Sequence, residues 1–308
     1  MPEGAPWTEA MIGIDDLRLD FNAPIARETT FRVGGQVACL ARPRTGAALI
    51  AALSAARRLD RPRVVIGGGS NVLMPDGYWD ALVIQIKGFA VGAEARTAGG
   101  GAARLALGAG VTLAACERYC LRRGLFGFEA LVGIPGTIGG ALVMNAGAHG
   151  ETISDHLLWL ELITRDGERR RYPRHELDPG YRTMGLPAGA TVLEAGFELL
   201  PGPKAELRAR LRQFIARRRA TQPLDWPSAG CVFKNPPETS AGLLIERAGL
   251  KGLRIGDAAI SERHGNWIIN RGQATARDVV SLIELVEQRI ESEFGIRLER
   301  ELVVLRKS

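Results

Sequence analysis

Residues 133–147 read Gly-Ile-Pro-Gly-Thr-Ile-Gly-Gly-Ala-Leu-Val-Met-Asn-Ala-Gly, and no other stretch of the chain says more about the fold. Its glycines interrupt an apolar run, although each interior Gly costs a helix or strand roughly 0.5–1 kcal/mol relative to Ala. Side chains this small let a ligand lie against the backbone. The pattern favours a site for a phosphate-bearing cofactor, and a packed helix start behind a tight turn is the alternative.

A second glycine cluster follows a short apolar segment. Residues 63–66, Arg-Val-Val-Ile, are typical of a buried strand and run into Gly-Gly-Gly-Ser-Asn at 67–71. Successive backbone N–H groups in such a turn can form an anion-binding nest. The Rossmann spacing is not met, because Val72 and Leu113 stand where its third Gly or Ala belongs, and the chain has no Gly-Lys dipeptide for a P-loop. We therefore expect a phosphate cradle of another kind.

The composition is that of a globular protein. A chain of 308 residues with 46% hydrophobic residues can form substantial cores in two or three domains. The net charge of +6 suits acidic small molecules better than DNA. No apolar run approaches the roughly 18 residues of a membrane-spanning helix, and the first residues do not resemble a secretory leader. We expect a cytoplasmic protein with neither a membrane nor a nucleic acid as partner.

The basic run at 208–219 and the cysteines have mostly structural explanations. The run has a helical apolar stripe and no accompanying aromatic series, which predicts a solvated helix face rather than a nucleic-acid surface. The cysteines contain no Cys-x-x-Cys pair, so no metal site is expected. Cys116 and Cys120 are predicted to pack inside the core as small apolar groups. Only Cys231 suggests a chemical role.

Local patterns predict alternating helices and strands, then antiparallel strands, then helices and strands again. Thr45 is a candidate N-cap for a helix over 47–59, and a helix from Thr112 is expected to end at Gly124. Thr275 and Asp278 have the spacing of a capping box for a helix that ends at Phe294 before Gly295. The predicted strands are 63–66, 81–86, 104–107, 157–164, 191–200 and 296–305, with Asp166-Gly167 as a hairpin turn and Pro201-Gly202-Pro203 as a domain boundary.

A series of separated motifs, covering roughly residues 21–305, resembles in its order the motif series of the UDP-N-acetylenolpyruvoylglucosamine reductase family, flavoenzymes of bacterial cell-wall synthesis. Each motif is weak alone, but the ordered set is specific. The short connection between the antiparallel strands is similar to family members that lack an extra substrate-covering insertion. The motifs lie at 29–35, 67–71, 133–148, 181–182, 222–224, 230–236 and 264–270.

The resemblance implies an α+β fold in which a vanillyl-alcohol-oxidase-type (PCMH-type) FAD-binding domain of two subdomains precedes a substrate-binding domain. The implied division is an N-terminal extension at 1–20, FAD-binding subdomains at 21–88 and 89–202, and a substrate-binding domain at 203–308. This fold explains why the Rossmann fingerprint is missing.

The same resemblance implies where non-covalent FAD lies. The residues expected at its pyrophosphate are Gly67, Gly68, Gly69, Ser70 and Asn71. The residues expected along the flavin are Ile134, Pro135, Gly136, Thr137, Gly139, Gly140, Asn145, Ala146, Gly147 and Ala148.

The reaction implied is reduction of the enolpyruvyl ether of UDP-N-acetylglucosamine enolpyruvate, with the hydride passing from NADPH through FAD and a proton coming from the protein. Cys231 stands where most of the family has the proton-donating serine, and a thiol with a reference pKa near 8.5 is mostly protonated at neutral pH. The resemblance assigns stabilisation of the enolate-like species to Arg182 and Glu301. Glu299, two residues away, remains an alternative to Glu301.

Tyr181, Lys234 and Asn235 are the implied substrate contacts. Two other functions stay open: an oxidase on the same flavin scaffold, which would react rapidly with oxygen, and a non-catalytic UDP-sugar binder without flavin. Ser70 lacks the final glycine of a nucleophile elbow, so a serine hydrolase is not expected. A monomer is expected, while the sequence does not decide between NADPH and NADH.

Overall fold

A computed structural model describes residues 6–59, 61–89, 94–96 and 101–307. Its helices are α1 (Pro6–Met11), α2 (Gly46–Arg57), α3 (Leu113–Arg123), α4 (Ile138–Val143), α5 (Lys204–Thr221), α6 (Ala241–Arg247) and α7 (Ala276–Phe294). Its strands are β1 (Leu17–Pro24), β2 (Gln36–Pro43), β3 (Arg63–Ile66), β4 (Val72–Leu73), β5 (Tyr78–Gln85), β6 (Glu94–Arg96), β7 (Ala103–Gly108), β8 (Leu125–Phe126), β9 (Gly147–Ala148), β10 (Glu151–Thr152), β11 (Leu157–Ile163), β12 (Arg169–Pro173), β13 (Thr191–Pro201), β14 (Ser228–Cys231), β15 (Arg254–Ile255), β16 (Ala258–Ile260), β17 (Trp267–Asn270) and β18 (Val303–Val304).

The chain forms two compact units, each built from separated segments. Unit 1 comprises Met1–Asp20, Cys39–Gly68 and Ala81–Arg217, and unit 2 comprises Phe21–Ala38, Gly69–Asp80 and Arg218–Ser308. The division into four parts implied by the sequence stays a prediction.

Unit 1 contains a largely antiparallel sheet in the order β12-β11-β13-β7-β6, with β8 paired to β13. The predicted hairpin is confirmed, since β11 pairs with β12 and Thr164 N–H donates to Glu168 O at 2.9 Å across the turn. The expected antiparallel pairing of the two long strands is also confirmed, with Leu160 opposite Ala195. A further sheet has the order β1-β2-β5-β3, in which β3 and β5 are parallel.

The helix boundaries of unit 1 follow the sequence signals. Thr45 caps α2 by accepting a hydrogen bond from Ala48 N–H at 3.2 Å. Thr112 caps α3 in the same way, and α3 ends at Gly124, whose φ of +70° is the left-handed conformation that favours glycine. Cys116 and Cys120 on α3 are buried, as predicted.

Unit 2 consists of the antiparallel sheet β14-β17-β16-β15 with α6 and α7. Its core joins apolar residues of all three segments of the unit, among them Phe31, Leu73 and Phe233, with the buried face of α7. The predicted capping box at Thr275 and Asp278 is confirmed, and α7 ends at Gly295 with φ +65°.

The predicted terminal strand over 296–305 is wrong, because only Val303–Val304 is a strand, and it runs parallel to Val72–Leu73. Glu301 N–H and Leu302 N–H both donate to the carbonyl oxygen of Val232, at 2.8 and 3.1 Å. Two successive amides that share one acceptor break the regular ladder of a strand. The alternation of side chains in the sequence could not reveal this shared acceptor.

The prediction of a solvated face for the basic run at 208–219 is wrong in part. Leu207 and Leu211 of α5 are buried, which confirms the apolar stripe, but Arg218 is only 9% exposed. Arg210 forms an ion pair at 3.1 Å with Glu129, which is buried like Arg218.

None of the described helices combines the length and the apolar character that a membrane-spanning segment requires.

Candidate functional site

In unit 1 the two glycine clusters meet through their backbones. A Cβ on Gly68 would lie 2.8 Å from Gly136 Cα, and a Cβ on Gly67 would lie 2.5 Å from Thr137 Oγ1. Both distances are too short for a side chain, so only glycine allows the two segments to approach this closely. The result is a close contact of 67–68 with 136–137, in which the Thr137 hydroxyl lies beside Gly67.

The segment after this contact is a packed helix start, as the alternative interpretation of the glycines predicts. Thr137 caps α4, and the amides of Ile138 and Gly139 donate to Val111 O and Ala109 O at 2.8 and 2.9 Å. These amides are therefore occupied by protein carbonyls. The proposed flavin contacts of Ile134, Pro135 and Gly140 stay predictions.

Helix α4 ends in a Schellman motif. Ala146 N–H donates to Ala141 O at 2.7 Å and Asn145 N–H donates to Leu142 O at 3.0 Å, which makes Asn145 the left-handed residue, with φ +40°. Gly147 and Ala148 follow in the hairpin β9-β10. The end of α4 therefore leads directly into this hairpin.

Tyr181 and Arg182 are the central residues of a four-residue turn in unit 1. Gly180 N–H donates to Thr183 O at 2.9 Å, and Thr183 N–H donates back to Gly180 O at 3.4 Å. Arg182 has φ +59°, a conformation that costs a non-glycine residue on the order of 1–2 kcal/mol. The Nδ2 of Asn145 donates to Gly180 O at 3.0 Å, so the turn is tied to the end of α4.

In unit 2, Asn71 and Glu301 are neighbours. Asn71 Nδ2 donates to the carbonyl oxygen of Glu301 at 3.1 Å, and Val303 N–H donates to Asn71 O at 3.2 Å. Gly69, with φ +65°, accepts a hydrogen bond from Thr30 N–H at 3.0 Å, and the half-buried Ser70 lies between Gly69 and Asn71. The Asn71 amide is therefore used within the protein, and its role at a pyrophosphate stays a prediction.

Cys231 ends strand β14 and is a half-buried cysteine that forms no disulfide. Gly230 before it has φ +79°, and the pairing of β14 with β17 is irregular between Ser228 and Cys231. The chain after Cys231 is fixed by the buried Asn266, which accepts from Phe233 N–H at 2.9 Å and donates to Phe233 O at 2.8 Å. This supporting role of Asn266 is absent from the sequence-based prediction.

The other cysteines are in environments that suppress thiol chemistry. Burial raises the pKa of the Cys39 thiol to about 12. The pKa of Cys116 is also raised, first by its hydrogen bond with Cys120 and then by burial. Cys231 is the cysteine that is not fully buried, which agrees with its selection from the sequence.

Arg218 is a residue near Cys231 that the sequence analysis assigned to the solvated helix face. Its guanidinium is buried, and the Nε has no hydrogen-bond partner among the described residues. Burial lowers the pKa of Arg218, whereas the negative charge that the Cys231 thiol can carry raises it. A single basic residue within a basic helix gives no sequence signal for burial.

The two candidate carboxylates differ in their surroundings. The Glu299 side chain is 71% exposed and forms an ion pair with Lys234 Nζ. Glu301 is half-buried, and its backbone is bonded to Val232 and Asn71. Asn235 Oδ1 accepts from Ala241 N–H at 3.1 Å, at the start of α6. Glu301 therefore has the more fixed position of the two.

The comparisons with known proteins cover nearly the whole chain. Residues 222–305 match the family model of the UDP-N-acetylenolpyruvoylglucosamine reductase C-terminal domain, and residues 37–172 match that of an FAD binding domain. A UDP-N-acetylenolpyruvoylglucosamine reductase of Syntrophobacter fumaroxidans is 49% identical over 95% of this chain and 85% of the relative. The one from Moorella thermoacetica is 42% identical over 92% of each.

A solved structure agrees with these matches. The crystal structure of the UDP-N-acetylenolpyruvylglucosamine reductase from Thermus caldophilus has a TM-score of 0.76 and 36% identity, and the alignment covers 94% of this chain and 99% of that one. The predicted α+β fold with an FAD-binding domain is confirmed, and its assignment to the vanillyl-alcohol-oxidase type stays a prediction.

FAD is the cofactor, as the resemblance implies. The residues at 67–68 fit a dinucleotide site, because glycine has no side chain that would cover the adjoining main chain, and the close contact with 136–137 fixes their position. The residues that contact FAD stay a prediction.

Proposed function

Because this chain belongs to the UDP-N-acetylenolpyruvoylglucosamine reductase family, we propose that it reduces UDP-N-acetylglucosamine enolpyruvate to UDP-N-acetylmuramate with NADPH as the source of reducing equivalents. The chain is an oxidoreductase of peptidoglycan precursor synthesis. The observation that supports the mechanism is the half-buried thiol of Cys231, which forms no disulfide and stands at the position of the proton donor in the family motif. A cytoplasmic location and a monomeric state remain part of this proposal.

Bound FAD would supply the hydride chemistry, with N5 as the donor atom to the terminal carbon of the enolpyruvyl group and NADPH as the source of reducing equivalents. Residues 67–71, 134–140 and 145–148 are proposed to hold the cofactor. The chain's own contribution to the chemistry is binding, orientation and the proton.

The Sγ–H of Cys231 is the proposed proton donor to the carbon beside the ether oxygen. As that C–H bond forms, the S–H bond breaks and a thiolate is left, which solvent reprotonates before the next turnover. A thiol is a stronger acid than the serine hydroxyl common in the family, so the exchange of Ser for Cys keeps the ability to donate.

Arg182 and Glu301 are proposed to stabilise the charge that moves towards the substrate carboxylate after hydride addition. A fixed guanidinium and a carboxylic acid that donates a hydrogen bond are groups suited to a developing oxyanion. Lys234 is a proposed contact to the substrate phosphates, in exchange for its ion pair with Glu299. Tyr181, 55% exposed at the tip of its turn, and Asn235 are the other proposed substrate contacts.

The experiment that tests this mechanism compares Cys231→Ala with Cys231→Ser. Proton donation by a positioned side chain contributes roughly 10²–10⁴-fold, so we expect Cys231→Ala to lose at least about a hundredfold in kcat, or about 2.7 kcal/mol. Reduction of the bound flavin by NADPH should stay within twofold. The Ser variant is the matched control and should retain most of the activity.

Normal steady-state turnover by Cys231→Ala would show that another group donates the proton. The two alternative functions give different results with the unmodified enzyme. Rapid reoxidation of the reduced enzyme by O₂ without the enolpyruvyl substrate would favour an oxidase. A colourless protein that takes up no FAD would favour a non-catalytic binder.

A further inference from the structure

Asn145 combines two roles of which only one requires an asparagine. At the left-handed position after α4 a glycine would serve at least as well, because glycine adopts a φ of +40° without strain. The side chain is nevertheless buried, with 6% exposed, and Nδ2 donates to Gly180 O at 3.0 Å. The helix cap therefore explains the backbone of Asn145 but not its amide.

The acceptor of this hydrogen bond is the first residue of the turn that carries Arg182. The turn is closed by two backbone hydrogen bonds between Gly180 and Thr183, and its third residue has φ +59°. Turns with positive φ at that position favour Gly or Asn, so the sequence alone does not stabilise this conformation with an arginine. Gly180, Tyr181 and Thr183 are exposed, whereas Arg182 is half-buried and its Nε is buried.

We propose that Asn145 is a positioning residue that acts through Arg182: its amide holds the turn of 180–183 in the conformation that presents the guanidinium. This inference rests on the proposed function, in which Arg182 stabilises the enolate-like species. Asn145 thereby joins the segment proposed to border the flavin to a catalytic side chain within unit 1. The Oδ1 atom of Asn145 has no hydrogen-bond partner among the described residues. It can therefore accept a hydrogen bond from a ligand while Nδ2 donates to Gly180 O.

The first experiment measures amide hydrogen exchange in the full-length protein with FAD bound. In Asn145→Gly the cap of α4 is retained and only the amide side chain is lost. We expect the Thr183 amide to exchange at least tenfold faster, while the amides of Met144 and Ala146 at the end of α4 keep their protection. Asn22→Gly is the matched control, because Asn22 also has a positive φ, +48°, and its side chain is exposed.

An unchanged exchange rate at Thr183 in Asn145→Gly would overturn the proposal, as would equal acceleration in Asn22→Gly. A second variant, Asn145→Asp, covers the case in which the glycine loosens the helix end. An aspartate tolerates the left-handed backbone but directs an acceptor at Gly180 O in place of a donor, so the same acceleration at Thr183 is expected.

The second experiment is a double-mutant cycle with Arg182→Met, followed by steady-state and half-reaction kinetics. Assayed at saturating FAD and expressed per bound flavin, Asn145→Gly should lower kcat at least tenfold in the otherwise unmodified enzyme. In the Arg182→Met background the same change should cost less than twofold, since the group it positions is absent.

Independent losses that multiply in the double variant would contradict the proposal. So would a loss explained entirely by lower FAD content, because Asn145 would then act on the cofactor. The exchange experiment uses no substrate, so it tests the link between Asn145 and the turn even if the enzyme proves not to reduce the enolpyruvyl ether. Failure of the proposed function and failure of this inference are therefore distinguishable.

Discussion

The turn at 180–183 in unit 1 and the segment at 299–303 in unit 2 both carry a proposed catalytic side chain, but they are held in different ways. In the turn, Gly180 and Thr183 exchange two backbone hydrogen bonds, Asn145 Nδ2 donates to Gly180 O, and Arg182 has φ +59°. The segment at 299–303 has four backbone hydrogen bonds to residues 71, 232 and 234, besides the side-chain bond from Asn71.

The turn at 180–183 and the segment at 299–303 should differ in their sensitivity to mutation. Where several hydrogen bonds fix a backbone, the loss of one leaves the others to hold its position. Where a side chain from another segment is bonded to a turn with a strained residue, its loss removes a restraint on an unfavourable conformation. We therefore expect unit 2 to tolerate changes around Glu301 better than unit 1 tolerates changes around Arg182, except at the reacting side chain itself.

The largest effect is expected from Glu301→Gln, which removes the carboxyl group and keeps its size. We expect a loss of at least about a hundredfold in kcat, corresponding to about 2.7 kcal/mol, because an amide is a much weaker acid than the carboxylic acid and stabilises the developing charge less. Glu299→Gln is the matched variant and should change kcat less than threefold, since the Glu299 side chain is 71% exposed and paired with Lys234.

A larger loss of kcat in Glu299→Gln than in Glu301→Gln would assign the acid to Glu299. Glu301 would then have no catalytic role. Both variants should be assayed at saturating substrate, because Lys234 is also a proposed substrate contact.

A smaller effect is expected from Asn71→Ala. The Glu301 backbone keeps its bond to Val232 O at 2.8 Å when the Asn71 amide is removed, so kcat should fall no more than fivefold. The assay requires saturating FAD, which separates this effect from weaker cofactor binding. A loss equal to that of Asn145→Gly would refute the contrast between the two regions.

The smallest effect on activity is expected from Asp76→Ala. The Asp76 carboxylate accepts from Ala276 N–H at 2.8 Å and Arg277 N–H at 3.0 Å, at the start of α7. Removing such a capping group lowers the free energy of unfolding by about 1 kcal/mol, which urea denaturation can measure. Turnover at 25 °C should be unchanged; a fall in kcat would mean that the segment 69–80 controls the position of Glu301 more tightly than its hydrogen bonds indicate.

Helix boundaries were predictable from sequence because their signals are local. Thr45, Thr112 and the Thr275 capping box each accept a hydrogen bond from an amide three residues away, and Gly124 and Gly295 each end a helix in the left-handed conformation. The hairpin at Asp166-Gly167 is local in the same sense. These predictions needed no knowledge of the rest of the fold.

The predictions that were wrong or missing concern contacts between residues far apart in sequence. The alternation over 296–305 suggested a strand, but the amides of Glu301 and Leu302 find one acceptor in Val232, about seventy residues earlier. Arg218 looked like any other arginine of α5 until the fold buried it near Cys231. No sequence pattern predicts the hydrogen bond from Asn145 Nδ2 to Gly180 O.

The sequence by itself determined the family, the flavin cofactor, the helix caps and the choice of Cys231 as the candidate proton donor, because each depends on residue identities at fixed short spacings. The tertiary structure decided which side chains hold the candidate catalytic residues: Asn145 for the turn of Arg182, and Asn71 for the backbone of Glu301. Such bonds join segments that only folding brings together, since 35 residues separate the first pair and 230 the second.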